Sequence, residues 1–143
     1  MSTLGDIENA IVNKLQAIQV GGEAAFQTVR GFMVARDVKY PEALLRERMP
    51  AAYVSVRSLF VDPESYHLVR YVGVFVAVRN MRSQEEARHG GDDGPGLFTL
   101  IESANGQLDG AAMPGGTVSY VTGASMVLAD ASTLVVRMTY AIS

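Results

Sequence analysis

The sequence predicts an α+β domain: a mostly antiparallel, mixed β-sheet with an N-terminal helix and a second helix packed on one face. Three observations carry this. An apolar stripe at helical spacing opens the chain, and a second one follows residue 95. Between them and after them run apolar segments that alternate with period two. The order is helix, three strands, helix, two strands, which layers as helices on a sheet rather than as a parallel αβ repeat.

The first helix rests on Leu4, Ile7, Ile11, Leu15 and Ile18, which recur at spacings of three and four. Thr3 is its expected cap, Asp6 and Glu8 suit its positive end, and Gly21-Gly22 is its expected stop. A strand is expected from about Phe26 to Ala35. Next, "YPEALLRERMP" lies between Pro41 and Pro50 and suits one or two helical turns with Leu44 and Leu45 inward. "AAYVSVRSLFV" reads as a strand with Val54 and Val56 on one side and Tyr53, Ser55 and Arg57 on the other. "DPES" is a turn.

"YHLVRYVGVFVAVRN" carries the strongest strand signal. Val72, Val74, Val76 and Val78 share one face; Tyr71, Phe75 and Ala77 share the other. Both faces are apolar, so a central place is expected. The second helix is expected to begin near Pro95, with Leu97, Leu100, Ile101, Ala104 and Leu108 as its stripe and "DGAAMPGG" as its end. "TVSYVTGASMVLA" and "STLVVRMTYAI" close the chain as strands, the last with Leu134, Val136, Met138, Tyr140 and Ile142 on one face. The connection through the second helix leaves room for one parallel neighbour.

The 143 residues suit one domain spanning 1–143, and 48% hydrophobic residues exclude a disordered chain. A net charge of −3 argues against a DNA-coating role, which needs a basic face. Ten Arg stand against two Lys, Lys14 and Lys39, and Arg suits the planar, bidentate pairs of interfaces. Without cysteine there is no disulfide frame, thiolate zinc site or Cys nucleophile. No run approaches the roughly 20 apolar residues of a membrane span, and the N-terminus lacks the basic start of a signal peptide. A soluble, unexported chain is the expectation.

Catalytic patterns are hard to find, and no enzyme activity, cofactor or metal is expected. No GxSxG elbow is present. "HGGDDGPG" is glycine-rich, but a phosphate loop ends in Gly-Lys-Ser/Thr, and here Asp92 and Asp93 would repel phosphate. His89 with Asp92 and Asp93 reads as a solvated loop before it reads as a metal site. His67 reads as a strand-end residue. Glu85 and Glu86 are adjacent and point about 100° apart on a helix, which does not make an acid/base pair. Arg57, Arg70, Arg79 and Arg82 would form a basic strip if their strands were neighbours, but no aromatic stacking platform accompanies them.

What stands out is the polar block "RNMRSQEEARHGGDDGPG", Arg79 to Gly96, between the strongest strand and the second helix. A contact arm is the favoured reading. Its charged side chains, Arg79, Arg82, Glu85, Glu86, Arg88, Asp92 and Asp93, are the candidate interface residues.

The chain resembles the tail terminator proteins of Mu-like phages and prophages. "IENAIVNKLQAI" at the start, "PAAYVSV" at 50–56, and "VFVAVRNMRSQEEARHGG" followed by "GPGLFTLIESANGQLDG" carry the resemblance, and "TLVVRMTYAI" fits the last strand. Order and spacing give the likeness its weight over nearly the whole chain. "GGDDGPG" departs from it by being longer and more acidic. The resemblance implies a virion subunit that is assembled in the host bacterial cytoplasm and acts at the tail and neck. It would form a homo-oligomeric ring, a hexamer, that caps the tail tube protein, ends tail polymerisation and meets the head–tail connector. Genomic DNA would pass through the lumen without specific binding, with Asp92, Asp93 and Asp109 as candidate acidic lining. Two other functions stay open: a head-completion or connector protein of the neck, and a small-molecule-binding or enzymatic α+β domain.

Overall fold

The computed structural model describes residues 4–31, 48–61, 68–79, 88–91, 94–113, 116–129 and 133–142. The expectations for Thr3, for Leu44 and Leu45, and for His67 fall outside these residues.

Helix α1, Leu4–Gln16, forms where the sequence puts it. Ile7, Ile11 and Leu15 are fully buried, and Ile18 follows just past the helix end. Gly21-Gly22 is not the stop. The helix closes earlier, through bonds from the Ala17 N–H to the Asn13 carbonyl and from Ile18 to Leu15. The two glycines instead turn a small hairpin of β1, Gln19–Val20, and β2, Glu23–Ala24. Both have positive φ, 63° and 85°, which a tight two-residue hairpin turn requires at both positions.

Strand β3, Thr28–Gly31, starts later than the sequence suggests; Phe26 is buried in the core as a lead-in rather than as a strand residue. It pairs in parallel with β4, Ala51–Val61. β4 pairs antiparallel with β5, Leu68–Arg79. A small bridge of β6, Gly90–Gly91, and β7, Gly94–Pro95, precedes helix α2, Leu97–Leu108. Pro95 therefore lies in the bridge, one residue before the helix cap, and not in the helix. Strands β8, Ala112–Met113, β9, Gly116–Ala129, and β10, Thr133–Ile142, follow.

The main sheet has six strands in the order β3-β4-β5-β10-β9-β8. The chain leaves β5, crosses through α2 and enters β9 running parallel to β5. β10 then returns between the two, antiparallel to both. This is a split β-α-β arrangement. The expected parallel neighbour across α2 is thus displaced by β10, and the hydrogen-bonded parallel pair is β3 with β4. The physical reason is the hairpin: β9 and β10 are joined closely in sequence, and the returning strand takes the vacant ladder of β5.

Registry explains the core. Val76 stands between Ala52 on β4 and Val136 on β10, and Val74 between Val54 and Met138. All six side chains are buried and face the helices. α1 lies on β3 and β4, and α2 on β5 and β9. Each such valine stabilises the fold by about 1.5–3 kcal/mol relative to an exposed one. The opposite face carries a second, smaller cluster of Ala51, Tyr53, Phe75 and Ala77, with Met49 and Val135 against it. The expectation of a central strand covered on both sides holds for β5.

β9 needs fourteen residues where β10 has ten. Their register slips at three points along the ladder. Each slip is a bulge that bends β9 and increases its twist, so the sheet curls. Among the described residues, no helix is long and apolar enough to cross a membrane.

Candidate interface at the end of the central strand

The polar block begins where β5 stops. Arg79 is half-buried and lies opposite Thr133, the buried first residue of β10. The block returns at Arg88, half-buried, and His89, exposed. Of the candidate interface residues, Arg79 and Arg88 are thus seen at its two ends. Arg82, Glu85, Glu86, Asp92 and Asp93 lie outside the described residues.

The return is fixed by glycine. Gly90 pairs with Pro95 and Gly91 with Gly94 in the small bridge. Gly90 has φ 90°, a left-handed conformation that side chains resist. Gly96 caps α2 in an extended conformation with no side-chain cap. A Cβ on Gly96 would fall onto the backbone of Arg88, His89 and Gly90. Backbone meets backbone here, and glycine is needed for its lack of volume.

This close approach brings His89 to α2. Its ring stands edge-on to Phe98, with centroids 5.1 Å apart and planes at 84°. Phe98 is 45% exposed, the exposed large hydrophobic side chain of the described residues. The sequence reading did not single out Phe98 or Gly96. The signal was present for Phe98, which falls outside the stripe of Leu97, Leu100, Ala104 and Leu108.

The other end of α2 is tied to the sheet by Asp109. Its carboxylate accepts a 3.1 Å hydrogen bond from the Tyr120 N–H, while Gly110 and Ala111 exchange backbone bonds with Val118. Gly110 has φ 81°, which suits the turn out of the helix. Asp109 is exposed, yet its carboxylate has this local task besides any lining role. Nearby, the Tyr140 hydroxyl donates to Asn105 Oδ1 at 3.0 Å, and the Tyr120 and Tyr140 rings lie 5.2 Å apart. Burial pushes the Tyr140 hydroxyl well above the usual tyrosine range, helped by the charges of Tyr120 and Asp109.

Of the arginines that would make a basic strip, Arg82 lies outside the described residues, and Arg70 and Arg79 do not come together. Arg70 and Arg79 lie at opposite ends of β5, and the regular β5–β10 ladder puts them on opposite faces. A strand of this length separates them too far for one continuous contact. Among the described residues, no group of three or more His, Asp or Glu gathers as a metal site would require.

Compared with known proteins, the chain matches no family model and no curated sequence.

Proposed function

We propose that the chain is a phage tail terminator subunit. It forms a homo-oligomeric ring, sixfold in symmetry, that caps the tail tube, ends its polymerisation and meets the head–tail connector in the virion neck. The reading rests on the resemblance of element order and spacing. The observation that carries it furthest is the anchoring of the polar block. It leaves the sheet at Arg79, and its return at Arg88–Gly90 is held against Gly96 at the start of α2. An insertion fixed at both ends on packed elements supplies contacts without disturbing the core. Its charges, Glu85, Glu86 and Arg88 among them, would set register with neighbours more than raw affinity.

Electron microscopy of particles made without the protein tests this. Tails of uncontrolled length support termination. Tails of normal length that fail to join heads assign the chain to the connector instead. Intact, joined particles overturn both.

A further inference from the structure

The chain has four asparagines, Asn9, Asn13, Asn80 and Asn105, and one of them, Asn105, precedes a glycine. That pair is chemically labile. The nitrogen of the following peptide bond can attack the side-chain carbonyl carbon, and glycine puts no side chain in the way. The fold sets this pair in the last turn of α2. Asn105 is half-buried there, and Gly106 beside it is exposed to water.

Three ties hold that turn. Asn105 Oδ1 accepts the Tyr140 hydroxyl at 3.0 Å, from β10 inside the sheet. The Asn105 backbone carbonyl accepts the Asp109 N–H at 2.9 Å. The Asp109 carboxylate in turn accepts the Tyr120 N–H at 3.1 Å. Ring closure would need the Asn105 side chain to swing to the Gly106 nitrogen, and Tyr140 holds it toward the sheet. It would also need that nitrogen bare, whereas the helical ladder directs its N–H to the Glu102 carbonyl, four residues back. Tyr140 is a lasting donor, because burial disfavours its charged form.

We propose that Asn105–Gly106 is a deamidation site that the docked end of α2 holds shut, and that opening of this end releases it irreversibly. In the step, the Gly106 nitrogen bonds to Asn105 Cγ. The bond from Cγ to the side-chain nitrogen breaks, and that nitrogen leaves as ammonia with the Gly106 proton. Water then opens the cyclic imide at either carbonyl, to aspartate or to isoaspartate. No electrons are gained or lost.

Neither product fits the site as asparagine does. Isoaspartate adds a carbon to the main chain, which breaks the helical ladder and moves the side chain away from Tyr140. Aspartate can still accept the Tyr140 hydroxyl. It adds a negative charge at the negative end of α2, however, four residues from Asp109. A chain whose α2 end has stayed open does not regain its first stability, so the pair records past opening. The inference is independent of the ring reading.

The test incubates the full chain in mildly alkaline buffer, folded and in urea. Each asparagine is followed by peptide mass mapping, with enzymatic methylation as the label for isoaspartate. In urea Asn105 should convert faster than Asn9 and Asn13, which precede Ala10 and Lys14. Gly106→Ala should slow that conversion. Folding should slow Asn105 at least about tenfold, as for a segment that opens rarely. Tyr140→Phe should speed the folded rate about fivefold, the factor of one lost hydrogen bond, and leave the rate in urea unchanged. Val54→Ala, a core change on β4, separates the local tie from global stability and should raise the folded rate less. Should Tyr140→Phe fail to fold by circular dichroism, wild-type conversion is compared with hydrogen exchange of the Gly106 amide in urea below the unfolding transition. The two should rise together. The converted chain, separated by its added negative charge, should unfold at lower urea than the original. A folded rate equal to that in urea overturns the inference, as does a Tyr140→Phe rate no higher than that of Val54→Ala. Conversion in urea that ignores Gly106→Ala, conversion that does not follow amide exchange, or an unchanged urea midpoint after conversion overturns it as well.

Discussion

The hydroxyl of Tyr140 donates to Oδ1 of Asn105 at 3.0 Å, joining strand β10 to helix α2. Tyr140 is 1% exposed, and its ionised form has no water to solvate it. The fold therefore favours the neutral phenol, and its pKa rises for reasons of burial first and of the nearby Tyr120 and Asp109 second. A group that holds its proton more tightly when folded stabilises the fold fully below its unfolded pKa of about 10. Above that pH the unfolded chain sheds the proton and the folded chain keeps it. Stability should then fall with rising pH by up to about 1.4 kcal/mol per unit. Tyr140→Phe removes this slope, while costing about 1 kcal/mol at neutral pH for the lost hydrogen bond. Urea melts of both proteins between pH 8 and about 11 measure the difference. Parallel curves for the two would show that Tyr140 is not the group responsible.

Within α2 the stripe is uneven. Leu100 is fully buried, whereas Ile101 is only half-buried against the core. Leu100→Ala should cost about 2–5 kcal/mol, in the range of a filled core site. Ile101→Ala should cost about half as much, since part of its surface is already in water. Equal losses in denaturant melts would mean that α2 is rotated from the orientation described.

Much of this was legible in the sequence. The valines of β5 and the alternating residues of β10 pair face to face, because period-two patterning over ten or more residues excludes a one-residue slip, which would turn one set out of the core. The stripe of α2 was equally plain. The parallel pairing of β3 with β4 was not, since β3 is four residues long and half-buried throughout, with no alternation to mark a face. Gly21-Gly22 looked like a helix stop because glycine serves C-caps and hairpin turns alike, and only the pairing of Gln19 with Ala24 decides between them. At the candidate interface, the sequence marked the block by its charge. It did not mark Gly96, whose importance comes from a backbone contact with Arg88–Gly90 that no local pattern encodes.

Two glycines of α2, one at its cap and one inside it, should respond in opposite directions to alanine. Gly106 is exposed inside α2, and a Cβ there meets nothing within 4 Å. Gly106→Ala should stabilise the protein by up to about 1 kcal/mol, through helix propensity alone. Gly96→Ala puts a methyl onto backbone that cannot yield as a side chain would, and should destabilise by about 1–3 kcal/mol. Its effect should appear also as a changed environment of His89, read from imidazole proton chemical shifts. A neutral Gly96→Ala would mean that the bridge does not press on the helix start.

The acids of the lumen hypothesis separate by the same logic. Asp109 holds the Tyr120 N–H, so Asp109→Ala should lower stability by about 1–2 kcal/mol, whatever the assembly does. Asp92 and Asp93 carry the remaining claim to be acidic lining. A wall charge acts on passing DNA only at close range, since screening takes hold beyond roughly 8 Å at physiological salt. If they line a channel, Asp92→Lys with Asp93→Lys should leave thermal stability and assembly intact and slow DNA ejection from particles. The readout is the rate of ejection against the yield of joined, normal-length particles. Unchanged ejection with failed joining or altered tail length would make the segment an assembly contact and remove it from the channel wall. Unchanged values for both would remove Asp92 and Asp93 from the candidate interface altogether, and leave Arg79, Arg82, Glu85, Glu86 and Arg88 as its candidates.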